Sequence, residues 1–321
     1  MKTNINKINN LKLIIDEVLA PEITNDYIYL DLPYYTNIGD TLIWEGTKEF
    51  LRSLPYKCLY ASDMNYFVEQ SISSNTIILL QGGGNFGDLY REHTNFRKKI
   101  IQLYPQNKVI ILPQSVYYEN EQNLLNDIIF YSKYKNVLIC TREQFSYQFI
   151  KSKFLHNRVL LMPDLAFYIN ITKFQISSSL SSTTLFLKRQ DSELVLDGKY
   201  HVIPDNSEIY DWPTFTNVSP KIKIIDVIFR CLKLIALIGG IKWKNKLEDI
   251  KRDSFYRKEY VQIGVDFLSK YDVIYTTRLH ALILAVLLDK RVFIYDNLTG
   301  KLINFYNTWL LEFYNINVIE K

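Results

Sequence analysis

The feature that most restricts the fold is a series of short, β-branched apolar segments separated by stretches of helical length. Residues 27–32, 76–80, 109–112, 136–140 and 159–162 read as strands, and residues 40–54, 93–103, 122–134 and 142–154 as the helices between them. Strands this apolar are buried on both faces, and their alternation with helices builds a parallel sheet covered on each side. Residues 176–184 (ISSSLSSTT) lose the apolar periodicity and read as a linker. Beyond them the pattern resumes with strands at 185–188, 200–203, 271–275 and 292–295, an apolar helix at 281–288 and an aromatic one at 302–313. A chain of 321 residues has room for two ordinary domains. The expectation is an α/β protein with two Rossmann-like domains, residues 1–175 and 183–321, facing a cleft, the last helix packing back on the first domain.

Composition removes several classes of function. With 48% hydrophobic and 22% charged residues the chain is globular. Its net charge of +4 is too small and too dispersed for a nucleic-acid-binding face. Cys58, Cys140 and Cys231 are scattered without a CxxC spacing, which points to a reducing compartment and to neither a disulfide framework nor a zinc site. The first residues lack the apolar core of a signal peptide, and no apolar run reaches the roughly 18–20 residues of a membrane span. A cytoplasmic protein is expected. Nothing in the sequence sets an oligomeric state.

Residues 221–246 stand apart. Lys223, Asp226, Arg230 and Lys233 fall on one stripe of a helix and Ile225, Ile228, Leu232 and Ile235 on the other, with Trp243 near the end. Seven basic residues against one acid suit a helix lying on an anionic membrane face. An ordinary amphipathic helix packed on its own domain gives the same pattern.

In parallel sheets ligands gather beyond the carboxyl ends of the strands, so the residues just after each strand are the candidates. Thr276-Thr277-Arg278-Leu279-His280 lies between a strand and an apolar helix. A helix start offers unpaired N–H groups and a positive dipole end, which favour an anion. Arg278 adds a planar cation that can grip a carboxylate or phosphate, and His280 a group that moves protons near neutral pH. Both could instead only cap backbone groups or pair with acids. In the turn at 36–41, Gly39 permits an unusual backbone angle, Asp40 can cap the next helix, and Asn37 and Asp40 could bind or deprotonate sugar hydroxyls. Gly82, Gly83 and Gly84, followed by Asn85 and Asp88, form a loop whose backbone can approach a ligand closely. The loop matches neither GxGxxG nor the P-loop, which argues against a dinucleotide or ATP. Arg142, Arg189 and Lys301 also follow strands. Asp164 reads as a cap or as a partner for Arg142.

The segments TNIGDTLI, QGGGNFGDLY, TREQFS, MPDLAF, LFLKR and TTRLHALILAVLLDKRVFIYDN occur in this order across residues 37–301. In that order the chain resembles polysaccharide pyruvyl transferases, although TREQFS has Glu143 where the family often has Asp. The resemblance implies a fold like that of GT-B glycosyltransferases and an enzyme that moves pyruvate from phosphoenolpyruvate onto two sugar hydroxyls as a cyclic ketal. It implies that Arg278, His280 and Lys301 lie at the phosphoenolpyruvate site, a role that Arg142 and Arg189 could share. His280 would then be the general acid or stabilise the departing phosphate, and Asp40 or Asp88 would activate a hydroxyl. No metal or cofactor is called for, phosphoenolpyruvate being a co-substrate. The expected partner is a glycan acceptor in capsule or exopolysaccharide synthesis, as finished polymer or lipid-linked precursor. The alternative is a GT-B glycosyltransferase using a nucleotide sugar, whose diphosphate would occupy the same anion site. A third reading is a non-catalytic glycan-binding protein.

Overall fold

The computed structural model describes residues 4–176, 184–188, 203–213, 220–236, 240–296 and 300–319. Its first sheet contains β1 (Tyr27–Leu30), β2 (Cys58–Ser62), β3 (Ile77–Leu80), β4 (Gly83–Gly87), β5 (Val109–Tyr117), β6 (Val137–Thr141) and β7 (Arg158–Leu161). Every pairing is parallel, in the order β2-β1-β3-β5-β6-β7. The long strand β5 begins against β3 (Ile78 opposite Val109) and ends against β4 (Gly87 opposite Tyr117), so the glycine-rich segment continues the sheet. The second sheet contains β8 (Thr184–Leu187), β9 (Glu208–Tyr210), β10 (Val273–Thr276), β11 (Arg291–Ile294) and β12 (Ile316–Val318). It too is parallel, ordered β12-β11-β10-β8-β9. The expected linker falls almost wholly outside the described residues, as do positions 200–202 of the expected strand at 200–203.

The helices are α1 (Ile5–Leu19), α2 (Ile38–Arg52), α3 (Arg91–Leu103), α4 (Glu121–Tyr131), α5 (Gln144–Lys153), α6 (Pro220–Ala236), α7 (Gly240–Lys251), α8 (Arg257–Ser269), α9 (Leu279–Leu287) and α10 (Lys301–Trp309). A π-helical turn, Arg252–Tyr256, joins α7 to α8. Two apolar clusters cover the opposite faces of the first sheet. A third serves the second sheet and also takes in Leu11 of α1 and Ile38 and Leu42 of α2. In this shared core, residues 281–286 of α9 are wholly buried, and α8 approaches α2 so closely that a Cβ on Gly264 would lie 2.8 Å from Ile38 Cγ2. Glu45 of α2 and Arg257 of α8, both almost fully buried, form an ion pair across the same contact. Helix α10 reaches the first sheet, the Trp309 indole N–H donating to the Arg142 carbonyl at 2.8 Å. The architecture is Rossmann-like mixed α/β, with two parallel sheets sharing an apolar seam.

Residues 221–246 are not one helix. Helices α6 and α7 pack together, and α6 turns two residues of its polar stripe, Asp226 and Lys233, inward, while Lys223 and Arg230 of the same stripe are exposed. Lys233 pairs with Glu248, and Asp226 with Lys251. Ile228 and Leu232, on the apolar stripe, are exposed instead of packed. The side chain of Ile235 and residues 237–239 lie outside the described positions. Among the described residues no helix is long and apolar enough to cross a membrane.

Candidate functional site

Two helix N-termini, one from each sheet's side, meet at a cleft of about 400 Å³. The first belongs to α2. Its N-cap is Asn37, whose side chain accepts a hydrogen bond from the Asp40 N–H at 3.4 Å. Asp40, expected to cap, instead lies in the first turn, where its carboxylate accepts from the Tyr35 hydroxyl at 3.0 Å. Gly39 is an ordinary helical residue, so its role is not an unusual backbone angle. It provides room: a Cβ there would lie 2.7 Å from His280 Nδ1. The second N-terminus is that of α9, with Arg278 at the N-cap and His280 in the first turn. Both N-termini point their positive dipole ends at one place.

His280 is held by charged groups from the opposite sheet. Its Nε2 lies 3.4 Å from Asp164 Oδ2 and 3.3 Å from Arg142 Nη1. Protonated, this nitrogen donates to Asp164; deprotonated, it accepts from Arg142. Arg142 itself donates to Asp164 at 2.8 Å and to Ser115 Oγ at 2.8 Å. Burial alone would raise the Asp164 carboxyl; the hydrogen bond from His280 and the charges of His280 and Arg142 hold it well below the usual carboxylate range. Asp164 is thus both things its sequence position allowed, cap (to Ala166 N–H, 2.8 Å) and partner of Arg142, with His280 as a third contact.

Arg278 lines the cleft, but one edge of its guanidinium is already engaged: Nε and Nη2 donate to the two oxygens of Asp211, at 2.5 and 2.6 Å. Lys301, the first residue of α10, comes in from the other side and donates to the Gly84 carbonyl at 3.4 Å. A Cβ on Gly84 would lie 3.3 Å from Arg142 Nη2 and 3.4 Å from Lys301 Nζ, so this glycine keeps open a gap between two cations. Arg189 lies outside the described residues.

The rest of the glycine run has another purpose. Gly82 and Gly87 sit against β5, where a Cβ would come within 2.8 Å of the Pro113 carbonyl and 2.0 Å of the Tyr117 carbonyl. Gly83 and Gly87 have φ of +141° and +112°, which a side chain would strain. Only Gly84 and Asn85 of this segment line the cleft. Asp88 does not: it accepts from the Glu119 and Asn120 N–H groups at 2.9 and 2.7 Å and from Asn123 at 2.9 Å, fixing the entry to α4. Those bonds explain its presence in structural terms and leave it away from the site where it was expected to activate a hydroxyl.

One cleft residue carries no sequence motif. His93 of α3 is buried, and its Nδ1 lies 2.7 Å from Asp31 Oδ1. Asp31 adopts φ +66°, uncommon for a non-glycine residue. The bend aims its carboxylate at His93 and at Arg97, whose Nε donates at 3.0 Å. The available signal was the helical i, i+4 spacing of His93 and Arg97 behind a strand-end Asp. The cleft therefore holds two histidines, each oriented by a buried carboxylate, among Arg142, Arg278 and Lys301.

Parallel sheets with a cationic, histidine-bearing cleft beyond the strand ends describe a Rossmann-like protein equipped for an anionic substrate. Residues 37–299 match the polysaccharide pyruvyl transferase family, and the chain belongs to it. It is 34% identical over 290 residues to the "Putative pyruvyl transferase EpsO" of Bacillus subtilis, covering 89% of this chain and 86% of that one. It is 28% identical over 295 residues to "Pyruvyl transferase 1" of Schizosaccharomyces pombe, covering 88% and 69%. A crystal structure of an uncharacterized Klebsiella pneumoniae protein superposes with a TM-score of 0.62 at 24% identity, over 97% of this chain and 99% of that one, a likeness of fold. The chain is a transferase, and its family supports pyruvylation of polysaccharides in general.

Proposed function

We propose that this enzyme transfers the pyruvyl group of phosphoenolpyruvate to two hydroxyls of one sugar in a cell-surface polysaccharide or its lipid-linked precursor. The observation that carries the reading is the cleft itself, which brings Arg142, Lys301 and Arg278 together with two carboxylate-held histidines. Phosphoenolpyruvate carries a phosphate and a carboxylate on the same carbon. The gap beside Gly84, between Arg142 and Lys301, suits one anionic group. The wall formed by Arg278, braced by Asp211, and the paired helix N-termini suits the other.

The reaction adds a proton to the methylene carbon, leaving the central carbon cation-like. A sugar hydroxyl attacks there and gives up its proton, balancing the one added to the methylene. The C–O bond to phosphate then breaks, and a second hydroxyl bonds to the same carbon, its proton leaving with the phosphate. His280, with a partner ready for either protonation state, is assigned as general acid. His93, fixed by Asp31, is assigned to the acceptor side together with Asn37 and Asp40. The proposal carries with it a GT-B-like arrangement, with residues 1–175 on the acceptor side and 183–321 on the phosphoenolpyruvate side, acting in the cytoplasm without metal or cofactor.

Calorimetric titration with phosphoenolpyruvate, beside UDP- and GDP-sugars, tests the reading before the acceptor is known. Saturable binding of phosphoenolpyruvate that is lost in Lys301→Ala is expected. Binding of a nucleotide sugar with no response to phosphoenolpyruvate would overturn it in favour of glycosyl transfer.

A further inference from the structure

The hairpin of α6 and α7 carries an apolar stripe on its solvent side as well as the one that packs it down. Ile222, Phe229 and the half-buried Ile225 anchor α6 to the protein, beside two inward ionic positions. Asp226 pairs with Lys251 at 3.2 Å and Lys233 pairs with Glu248. The stripe turned to solvent is Ile224, Val227, Ile228, Cys231 and Leu234, the i, i+3, i+4, i+7, i+10 spacing of a single helix face. Ile224, Val227 and Leu234 are 61%, 58% and 68% exposed, and they lie contiguously on one face. On α7, Trp243 is also exposed at 58%, with the Lys246 ammonium 5.4 Å from its ring centre.

Charge decides what covers this face. Lys221, Lys223, Arg230, Lys244 and Lys246 are all exposed around it. The one acid among the described residues 220–246, Asp226, is half-buried and paired. A second copy laid face to face would bring basic flanks against basic flanks, which is repulsive. An anionic bilayer offers an apolar layer for the aliphatic stripe, phosphates for the flanking cations and an interfacial zone for an aromatic ring. We infer that the α6–α7 hairpin docks this enzyme on the surface of an anionic lipid membrane.

The same hairpin is bonded to the rim of the cleft. Asn245 donates to the Tyr66 carbonyl at 3.0 Å, Arg252 at the π turn donates to the Tyr34 carbonyl at 2.9 Å, and Asp249 accepts from Tyr34 and Ser62 at 3.0 and 2.8 Å. Tyr35 and Met64, which line the cleft, belong to these same loops. Docking therefore sets the height of the cleft mouth above the bilayer. The inference does not depend on which group is transferred.

The test is flotation of the full chain with phosphatidylcholine vesicles, with and without a large fraction of phosphatidylglycerol, at low and high salt. Flotation with the anionic vesicles only is expected, with a blue shift of tryptophan emission that Trp243→Phe diminishes. Lys223→Ala/Arg230→Ala should weaken partitioning roughly thirtyfold, and Ile224→Asp/Val227→Asp should abolish it. The last variant alters exposed side chains only, and an unchanged circular dichroism spectrum and melting transition show that it folds. Failure to float with anionic vesicles, or flotation unaffected by Ile224→Asp/Val227→Asp, would overturn the inference. A dimer seen by sedimentation that this variant dissolves would also overturn it, assigning the face to a second copy.

Discussion

Replacing Gly39 by alanine sets two physical effects against each other. A helix considered alone prefers alanine to glycine by about 0.5–1 kcal/mol, so local propensity predicts a more stable protein. The tertiary contact predicts the reverse. The added Cβ would lie 2.7 Å from His280 Nδ1, well inside the roughly 3.5–4.0 Å of a comfortable contact. The ring must therefore move by about 0.8 Å or more. Its Nε2 contacts, at 3.4 Å to Asp164 and 3.3 Å to Arg142, are already at their limit and cannot survive such a shift. Overpacking of this kind costs about 1–3 kcal/mol, which outweighs the helical gain. A displacement near 1 Å at a reacting group costs on the order of a hundredfold in turnover. The assay is urea unfolding beside phosphate release from phosphoenolpyruvate in the presence of a glycan acceptor. Gly87→Ala is the control: its Cβ would strike the Tyr117 carbonyl at 2.0 Å, destabilising the β4–β5 pairing at a residue that does not line the cleft. A Gly39→Ala protein stabilised by the full helical increment and turning over normally would refute both the packing argument and the assignment of His280.

His280→Ala should keep phosphoenolpyruvate binding in calorimetry and lose most turnover; full activity would remove His280 from the chemistry. Arg278→Ala should weaken that binding tenfold or more, because it removes a cation from the cleft wall and leaves the negative charge of Asp211 there; unchanged affinity would confine Arg278 to a capping role. Asp164→Asn should lower stability at pH 7 by about 3–5 kcal/mol in urea unfolding, since Arg142 then loses its buried counter-charge. The folded Asp164 carboxyl is depressed, so its contribution is present above the unfolded value near 4 and is lost as pH falls further; the variant should show a flatter profile in that acid range. Asp249 behaves oppositely. Burial pushes its carboxyl up to about 7, so stability should rise as pH falls through 7, and Asp249→Asn should abolish that rise.

Strands with β-branched runs on both faces, such as 77–80 and 109–112, were legible because nothing but a buried parallel strand suits them. The edge strand β2 was not, because its short, half-exposed CLYAS has no β-branched residue, and β4 was not, because glycine has no side chain to carry a pattern. At the site, residues next to a strand end in the chain could be placed: Arg142, Arg278, His280 and Lys301 do line one cleft. Contacts made across the fold could not be placed. The Asp211 grip on Arg278 spans 67 positions, and the Asp31–His93 pair depends on a positive φ that no sequence pattern announces. The inward turn of Asp226 and Lys233 was invisible for a related reason: the spacing gives the two stripes, and only the ionic partners Lys251 and Glu248 on α7 draw those two residues in.

The apolar seam between the sheets also bears on how substrates come and go. Transferases built from two lobes commonly work as jaws, swinging about a hinge to admit a ligand. Here Ile38 and Leu42 of α2 lie in one apolar cluster with α8 and α9, the Gly264–Ile38 approach leaves no room to slide, and any parting would break the Glu45–Arg257 contact and expose that cluster to water. Such a body is a vice already set to width. On the proposed function, selectivity for the acceptor then rests on the shape of a standing slot, and exposed lining side chains such as Tyr35 and Tyr90 would set which glycans are accepted.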